Sequence, residues 1–347
     1  MQAEFASLID TVQHNCHIAD AKYAGDYTLC VYLLKMREFY RWEKQRPFDE
    51  TLTNDSVGDW LSEREAHWDD LETTDYLPLN IQGKNYDPFD NETINATLIP
   101  HGLVYNAGYG IRCRPHFFIG KLESHDHQNE FHIYISGEEY ARDIASPAAM
   151  TQNDTIFIRD ESLRRILWEK IEEWRWSRLD NPMGRSLEDY DFEGNATKAL
   201  DAFSEIIVPQ VVQHEIGEAF VGQQLGHDWN KLLNSLPRGK SEIMLRAIRD
   251  HLADSFTTLP LLISEANPNA IHFWYANLTG MQKTLAPRIK EAYQRWYETG
   301  KLDVLEQLIP DSRQHWFQLA STALTLFKED PDNMATAIET KIETQPF

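Results

Sequence analysis

Apolar residues recur at helical spacing through ADAKYAGDYTLCVYLLKMREFYRWEKQRP, where Tyr23, Tyr27, Val31, Leu34 and Trp42 fall on one face and Pro47 supplies a stop. The spacing predicts one long amphipathic helix. SVGDWLSEREAHWDDLE predicts a second, more polar helix, and the Pro, Asn and Asp-rich stretch 77–95 predicts a loop. The texture then changes. HGLVYNAGYGIRCRPHFFIGKL and EFHIYIS alternate or run apolar and are broken by Gly and Pro, which predicts a small antiparallel sheet at about 97–136, with IFI at 156–158 as a further strand. From Glu161 onward the spacing is helical in SLRRILWEKIEEWRW, around VVQHEIGEAFVG, in EIMLRAIRDHLADSF, across 270–297 and in WFQLASTALTLF. The fold expected is α+β: predominantly helical, with a small antiparallel β-sheet in the N-terminal half and a helical C-terminal half. Residues 1–160 form the helix-and-sheet region and 161–347 the helical region, and with no linker between them one continuous domain fits equally well.

Composition narrows the function classes. The 33 basic and 55 acidic residues leave a formal charge of -22, which repels phosphate backbones and anionic membrane surfaces, so neither nucleic acid nor membrane is an expected partner. Cys16, Cys30 and Cys113 are too few for a disulfide framework and odd in number, as suits a reducing compartment. The start, MQAEFASLIDTVQ, carries no signal-peptide pattern, and a cytoplasmic protein is expected. P-loop, dinucleotide-binding and nucleophile-elbow patterns are all missing from the sequence.

The chemistry concentrates in VVQHEIGEAFVG, residues 211–222. Pro209 suits a helix start and Gly226 a helix end, giving a helix of about four turns. At about 100° per residue, Val211, Val212, Glu215, Glu218, Ala219, Gly222 and Leu225 share one stripe, with His214 at its edge one turn before Glu218. Carboxylates on an apolar face need a cation, metal or arginine. The stretch is similar to the H-E-x-x-H helix of zinc metallopeptidases. That resemblance implies His214 and Glu218 as ligands and Glu215 as the general base of a metal-bound water. It departs at Glu218, which stands where the second histidine belongs.

Further groups lie on neighbouring apolar faces. His251 sits among Met244, Ala247 and Ile248, with Asp254 three residues on; Glu38 falls in the stripe of the first helix, as does Asp20, which could also cap it. His214, Glu218, His251, Asp254 and Glu38 are therefore the candidate metal ligands, and Glu215 the candidate catalytic base. The oxygen-rich set suits a divalent metal, zinc or else iron or manganese. A carboxylate di-metal centre is the alternative, although neither helix shows Glu-x-x-His in that order. Gly120, His125, His127, Glu130 and Gly137 resemble a cupin motif that His132 could join, against the plainer reading of a solvated hairpin tip. His14, Cys16 and His17 lack a second Cys/His cluster to complete a soft-metal site.

As a whole, and particularly in HIADAKYAGDYTLCVYLLKMREFYRWE and the HEIGE helix, the chain looks like members of a bacterial protein family with no assigned activity. Three functional expectations stand: a zincin-like hydrolase acting on a small molecule or peptide, a non-haem iron or manganese oxidase, and a non-catalytic scaffold whose buried carboxylates are salt-bridged. The 12% aromatic content fits an oligomer and a large core alike.

Overall fold

The computed structural model describes residues 2–110, 113–128 and 130–347. It divides into two compact units, Met1–Lys170 with Asp191–Ser204, and Ile171–Tyr190 with Glu205–Phe347. The expected α+β fold is present: helix and sheet in the N-terminal half, helix throughout the C-terminal half.

In the first unit α1 (Gln2–Tyr23) and α2 (Leu29–Glu43) replace the single long helix expected from apolar spacing. After a 3-10 turn at Ala24–Asp26, Tyr27 and Thr28 adopt extended backbone, with φ/ψ of -77/148 and -65/151. The break resets the helical phase. Met36, Phe39 and Tyr40 are buried, whereas Val31 and Leu34, expected inside, are 42% and 53% exposed. Asp20 is interior to α1 rather than a cap, and its carboxylate accepts the Ile144 N–H at 3.2 Å.

The polar helix α3 (Asn54–Asp69) forms as expected. The expected loop at 77–95 instead contains a hairpin, β1 (Leu79–Ile81) and β2 (Lys84–Tyr86), and the helix α4 (Asn91–Leu98). Gln82 and Gly83 both have positive φ, 52° and 81°, as a two-residue hairpin turn requires, but glutamine hides the usual Asn-Gly signal. Asp90 caps α4 by accepting the Thr93 N–H at 3.2 Å. Asn91 and Asn95 pair with the backbone of Ala107 and Tyr105. These polar residues thus cover a sheet edge.

That sheet comprises β3 (Leu103–Tyr109), β4 (Pro115–Gln128), β5 (Phe131–Arg142), β6 (Ala149–Gln152) and β7 (Thr155–Arg159), in the order β3-β4-β5-β7-β6. All its pairs are antiparallel except β5 with β7, which run parallel with Ile133 opposite Ile156. Phe5, Leu8, Val12 and Cys16 of α1 share a core with Tyr105, Phe117 and Ile119 of the sheet. Beside it lies a buried charge network. Glu139 accepts from Arg159 Nε at 2.8 Å, Arg159 Nη2 at 2.7 Å and Ser162 at 2.7 Å.

The remaining helices are α5 (Asp160–Ser177), α6 (Pro182–Ser186), α7 (Ala196–Leu225), α8 (His227–Ser235), α9 (Lys240–Phe256), α10 (Thr258–Glu265), α11 (Pro268–Asn277), α12 (Gly280–Leu285), α13 (Pro287–Thr299), α14 (Asp303–Glu306), α15 (Leu308–Glu329) and α16 (Met334–Glu343). The core of the second unit joins Trp229, Leu245, Ile248, Leu252, Trp316 and Ala320. The stretch 270–297, read as continuous, is split because Thr279 and Gln282 form a capping box and Pro287 opens a new helix. Pro209 does not start a helix: α7 runs through it from Ala196, with Asn195 accepting the Lys198 N–H at 3.0 Å at its head. Proline removes one backbone donor, and the packing of a 30-residue helix overrides that loss. Among the described residues no helix is long and apolar enough to cross a membrane.

Candidate functional site

The HEIGE segment lies on α7 where that helix meets α9. Gly217 sets the approach: a Cβ there would stand 2.4 Å from Thr257 Oγ1 and 2.7 Å from the Ala253 carbonyl oxygen. Thr257 Oγ1 uses the proximity to donate to the Gln213 carbonyl at 2.6 Å. Absence of a side chain at Gly217 therefore lets His214 and Glu218, one turn apart on α7, reach Asp250 and Asp254, one turn apart on α9.

His214 is the hub. Its Nδ1 lies 2.8 Å from Asp254 Oδ1 and its Nε2 3.4 Å from Glu218 Oε1. Asp254 is nearly buried and is held from behind by Trp274 Nε1, which donates to its Oδ2 at 3.0 Å. One donor atom from each of His214, Glu218 and Asp250 lies within 4.8 Å of the other two, and among the described residues this is the three-residue group able to hold a metal ion. The three are half-buried, whereas Asp254 is buried. Arg249 also reaches the group, with Nη2 2.7 Å from Glu218 Oε1 and 3.7 Å from Asp250 Oδ1. Gln282 Nε2 donates to Asp250 Oδ2 at 3.3 Å.

The charges in this cluster shift one another. Burial works against a charged His214, but the Asp254 and Glu218 carboxylates outweigh it and raise the imidazole well above its ordinary value. Burial likewise opposes ionisation of Glu218, and His214 and Arg249 overcome it, holding the carboxyl at about 2. Asp250 goes the other way: burial and then the neighbouring Glu218 charge push it up to about 7. Crowded carboxylates around one imidazole are the arrangement a cation would neutralise.

The residues expected from the sequence are partly brought together. His214 and Glu218 form one side of the group, with Glu215 half-buried beside them on α7. Asp254 stands behind His214 as its hydrogen-bond partner. His251 points into the core, where its ring stacks on Trp316 at 4.7 Å and its Nε2 meets the Gln282 carbonyl at 3.0 Å. Asp250, not among the residues expected from the sequence, stands with His214 and Glu218 where His251 was expected. Glu38 belongs to the first unit, where Arg41 Nε donates to its Oε2 at 3.2 Å. Asp250 and Arg249 were missed because the apolar arc of α9 centres on His251. The legible signal was a matched spacing: Asp250 and Asp254 repeat the four-residue interval of His214 and Glu218.

The other histidine clusters are placed as well. At the β4–β5 hairpin His125 Nε2 lies 3.3 Å from His132 Nδ1, and the His127 ring is 4.8 Å from that of His132. His125 and His127 are exposed there. Cys16 is a core residue whose thiol donates to the Phe117 carbonyl, and His17 Nδ1 accepts from Trp68 Nε1 at 3.2 Å.

Comparison with protein-family models matches residues 7–159 to the N-terminal domain, and residues 164–345 to the C-terminal domain, of a family of unknown function, DUF6866. Neither the curated proteins nor the solved structures yield a match.

Proposed function

The chain belongs to the DUF6866 family, and for it we propose a divalent-metal site in the helical unit that serves metal-dependent hydrolysis. The observation that carries this reading is the convergence of His214, Glu218 and Asp250, with Asp254 fixing the imidazole from the opposite nitrogen. Donors sharing one ion at bonds of about 2.1 Å stand roughly 3 to 3.5 Å apart. His214 Nε2 and Glu218 Oε1, at 3.4 Å, already have that spacing, and the Asp250 donor lies within 4.8 Å of both. A carboxylate bonded to the far nitrogen of a ligating histidine is the support that metal sites commonly use. The donor set, one imidazole and two carboxylates, fits zinc, and fits iron or manganese equally well.

In this account His214, Glu218 and Asp250 are the ligands and Asp254 a positioning residue. Glu215, adjacent to His214, is the general base for water. When bound, the metal supplies Lewis acidity and lowers the pKa of its water toward neutrality. The partial exposure of His214, Glu218 and Asp250 supports access by a small molecule or an exposed peptide. The acidic composition disfavours nucleic acid as a partner, and the free Cys16, Cys30 and Cys113 suit a reducing, cytoplasmic setting.

One observation favours a second reading, a salt-bridged scaffold: Arg249 already neutralises Glu218 at 2.7 Å. Elemental analysis of protein purified without added metal separates the two. About one zinc, iron or manganese per chain, lost in Asp250→Asn, supports the metal site. Metal-free protein whose thermal midpoint is unmoved by chelator and by added zinc or manganese supports the scaffold instead.

A further inference from the structure

A second site lies wholly within the first unit and is independent of the metal group. Between the end of α2 and the start of α5 is a cavity of about 320 Å³, a volume suited to a small molecule. Five arginines line it, Arg41, Arg46, Arg142, Arg164 and Arg165, in a chain whose net charge is -22. Arg41, Arg142 and Arg165 are almost fully buried, at 3%, 1% and 3% exposure. Arg46 stands at the rim, about half exposed.

Each guanidinium is anchored, Arg41 also by the Pro47 and Glu50 carbonyls and Arg165 also by the Ser146 carbonyl at 3.0 Å, and each of the four deepest keeps an unused donor. Arg41 binds Glu38, Arg165 binds Glu169 at 2.7 Å, Arg164 binds Asp201, and Arg142 lies 3.8 Å from Glu139. Yet Arg41 Nη2 and the Nε groups of Arg142, Arg164 and Arg165 are buried with no hydrogen-bond partner. Buried donors are normally satisfied, and an orphan is costly. Four arginines with such a donor line one cavity, and this concentration of guanidinium groups suits an acceptor with several anionic oxygens, which they recognise through forked N–H pairs. The carboxylates on the wall do not supply it. Glu38 is committed to Arg41, and Glu161 accepts the Glu139 N–H at 2.6 Å with its carboxyl pushed up to about 7 by burial and by Glu139.

We propose that this cavity binds a small organic dianion, of the phosphate-monoester or dicarboxylate class, through the guanidinium groups of Arg41, Arg142, Arg164 and Arg165 that line it, with Arg46 at its mouth. The fixed positions of the buried arginines pre-organise the site. The rim arginine draws the anion in against the field of an acidic protein.

The test is calorimetric titration of the full chain, treated beforehand with chelator so that the metal group plays no part, with glycerol 2-phosphate and separately with malonate at constant ionic strength. Saturable binding of one of them with a dissociation constant below about 1 mM is expected. The arm that binds identifies the class. Arg164→Gln should weaken it about tenfold or more, and Arg46→Gln by less. Both positions are partly exposed, so the variants fold, as the unchanged circular dichroism of anion-free protein would show. If neither probe binds saturably, or if both variants bind as the wild type does, the proposal is overturned.

Discussion

Asp254 Oδ1 lies 2.8 Å from His214 Nδ1, while the opposite nitrogen of the same ring faces Glu218 at 3.4 Å. The pair joins α7 to α9 and fixes which ring nitrogen is presented to the carboxylates. Asp254→Asn keeps the shape but removes the charge that supports the imidazole. It should weaken zinc or manganese binding about 10- to 100-fold while leaving the fold intact, measured by metal titration alongside circular dichroism.

Gly217 is the contact that brings those helices together. In an exposed helix, glycine to alanine would stabilise by about 1 kcal/mol. Here the added methyl meets the Ala253 carbonyl oxygen at 2.7 Å, and backbone cannot swing aside as a side chain can. Gly217→Ala should destabilise by about 1 to 3 kcal/mol in urea unfolding. It should also weaken metal binding, since His214 and Asp250 are driven apart.

In the first unit Glu139 is fully buried between Arg159 and Arg142. Burial disfavours its charge, but the two arginines prevail and hold it below its ordinary value. Glu139→Ala would strand buried guanidinium charge and should cost about 3 to 5 kcal/mol. Urea denaturation of the variant beside the wild type gives the number.

Glu161 sets an opposite pH dependence. Burial, then the Glu139 charge, pushes its carboxyl from 4.5 to about 7. Between those values the folded chain keeps a proton that the unfolded chain has released. This contribution to stability is therefore complete below the unfolded pKa and is lost as pH rises through the folded one. Glu161→Gln should be more stable than the wild type at pH 8, on the order of 2 kcal/mol, and should lose that advantage at pH 4. Equal pH profiles for the two proteins would contradict the assignment.

The sequence revealed most where a single pattern decides structure. The strands β3, β4, β5 and β7 and the helix α3 follow from apolar spacing, and the same projection puts Glu218 on the apolar stripe of α7 with His214 at its edge. It misled where tertiary packing overrides a local signal: Pro209 sits inside α7, and Tyr27 and Thr28 split a helix whose apolar spacing runs on past them. The candidate site was half legible for the same reason. A projection of α9 places His251 at the centre of the apolar arc, and that is where it packs, against Trp316. Which neighbour then reaches α7 depends on the interhelical contact at Gly217, a long-range fact. The arginine cavity was illegible because its members come from α2 and the turn after it, β5 and α5, far apart in the chain.

The most direct test of the metal centre is calorimetric titration of chelator-stripped protein with zinc and with manganese, for the wild type and for Asp250→Asn. One saturable site per chain is expected for at least one metal, weakened at least about tenfold when Asp250 loses its charge. Absence of saturable binding in the wild type, or equal affinity in the variant, would contradict it and leave Arg249 and the His214 imidazolium as the cations that neutralise these carboxylates.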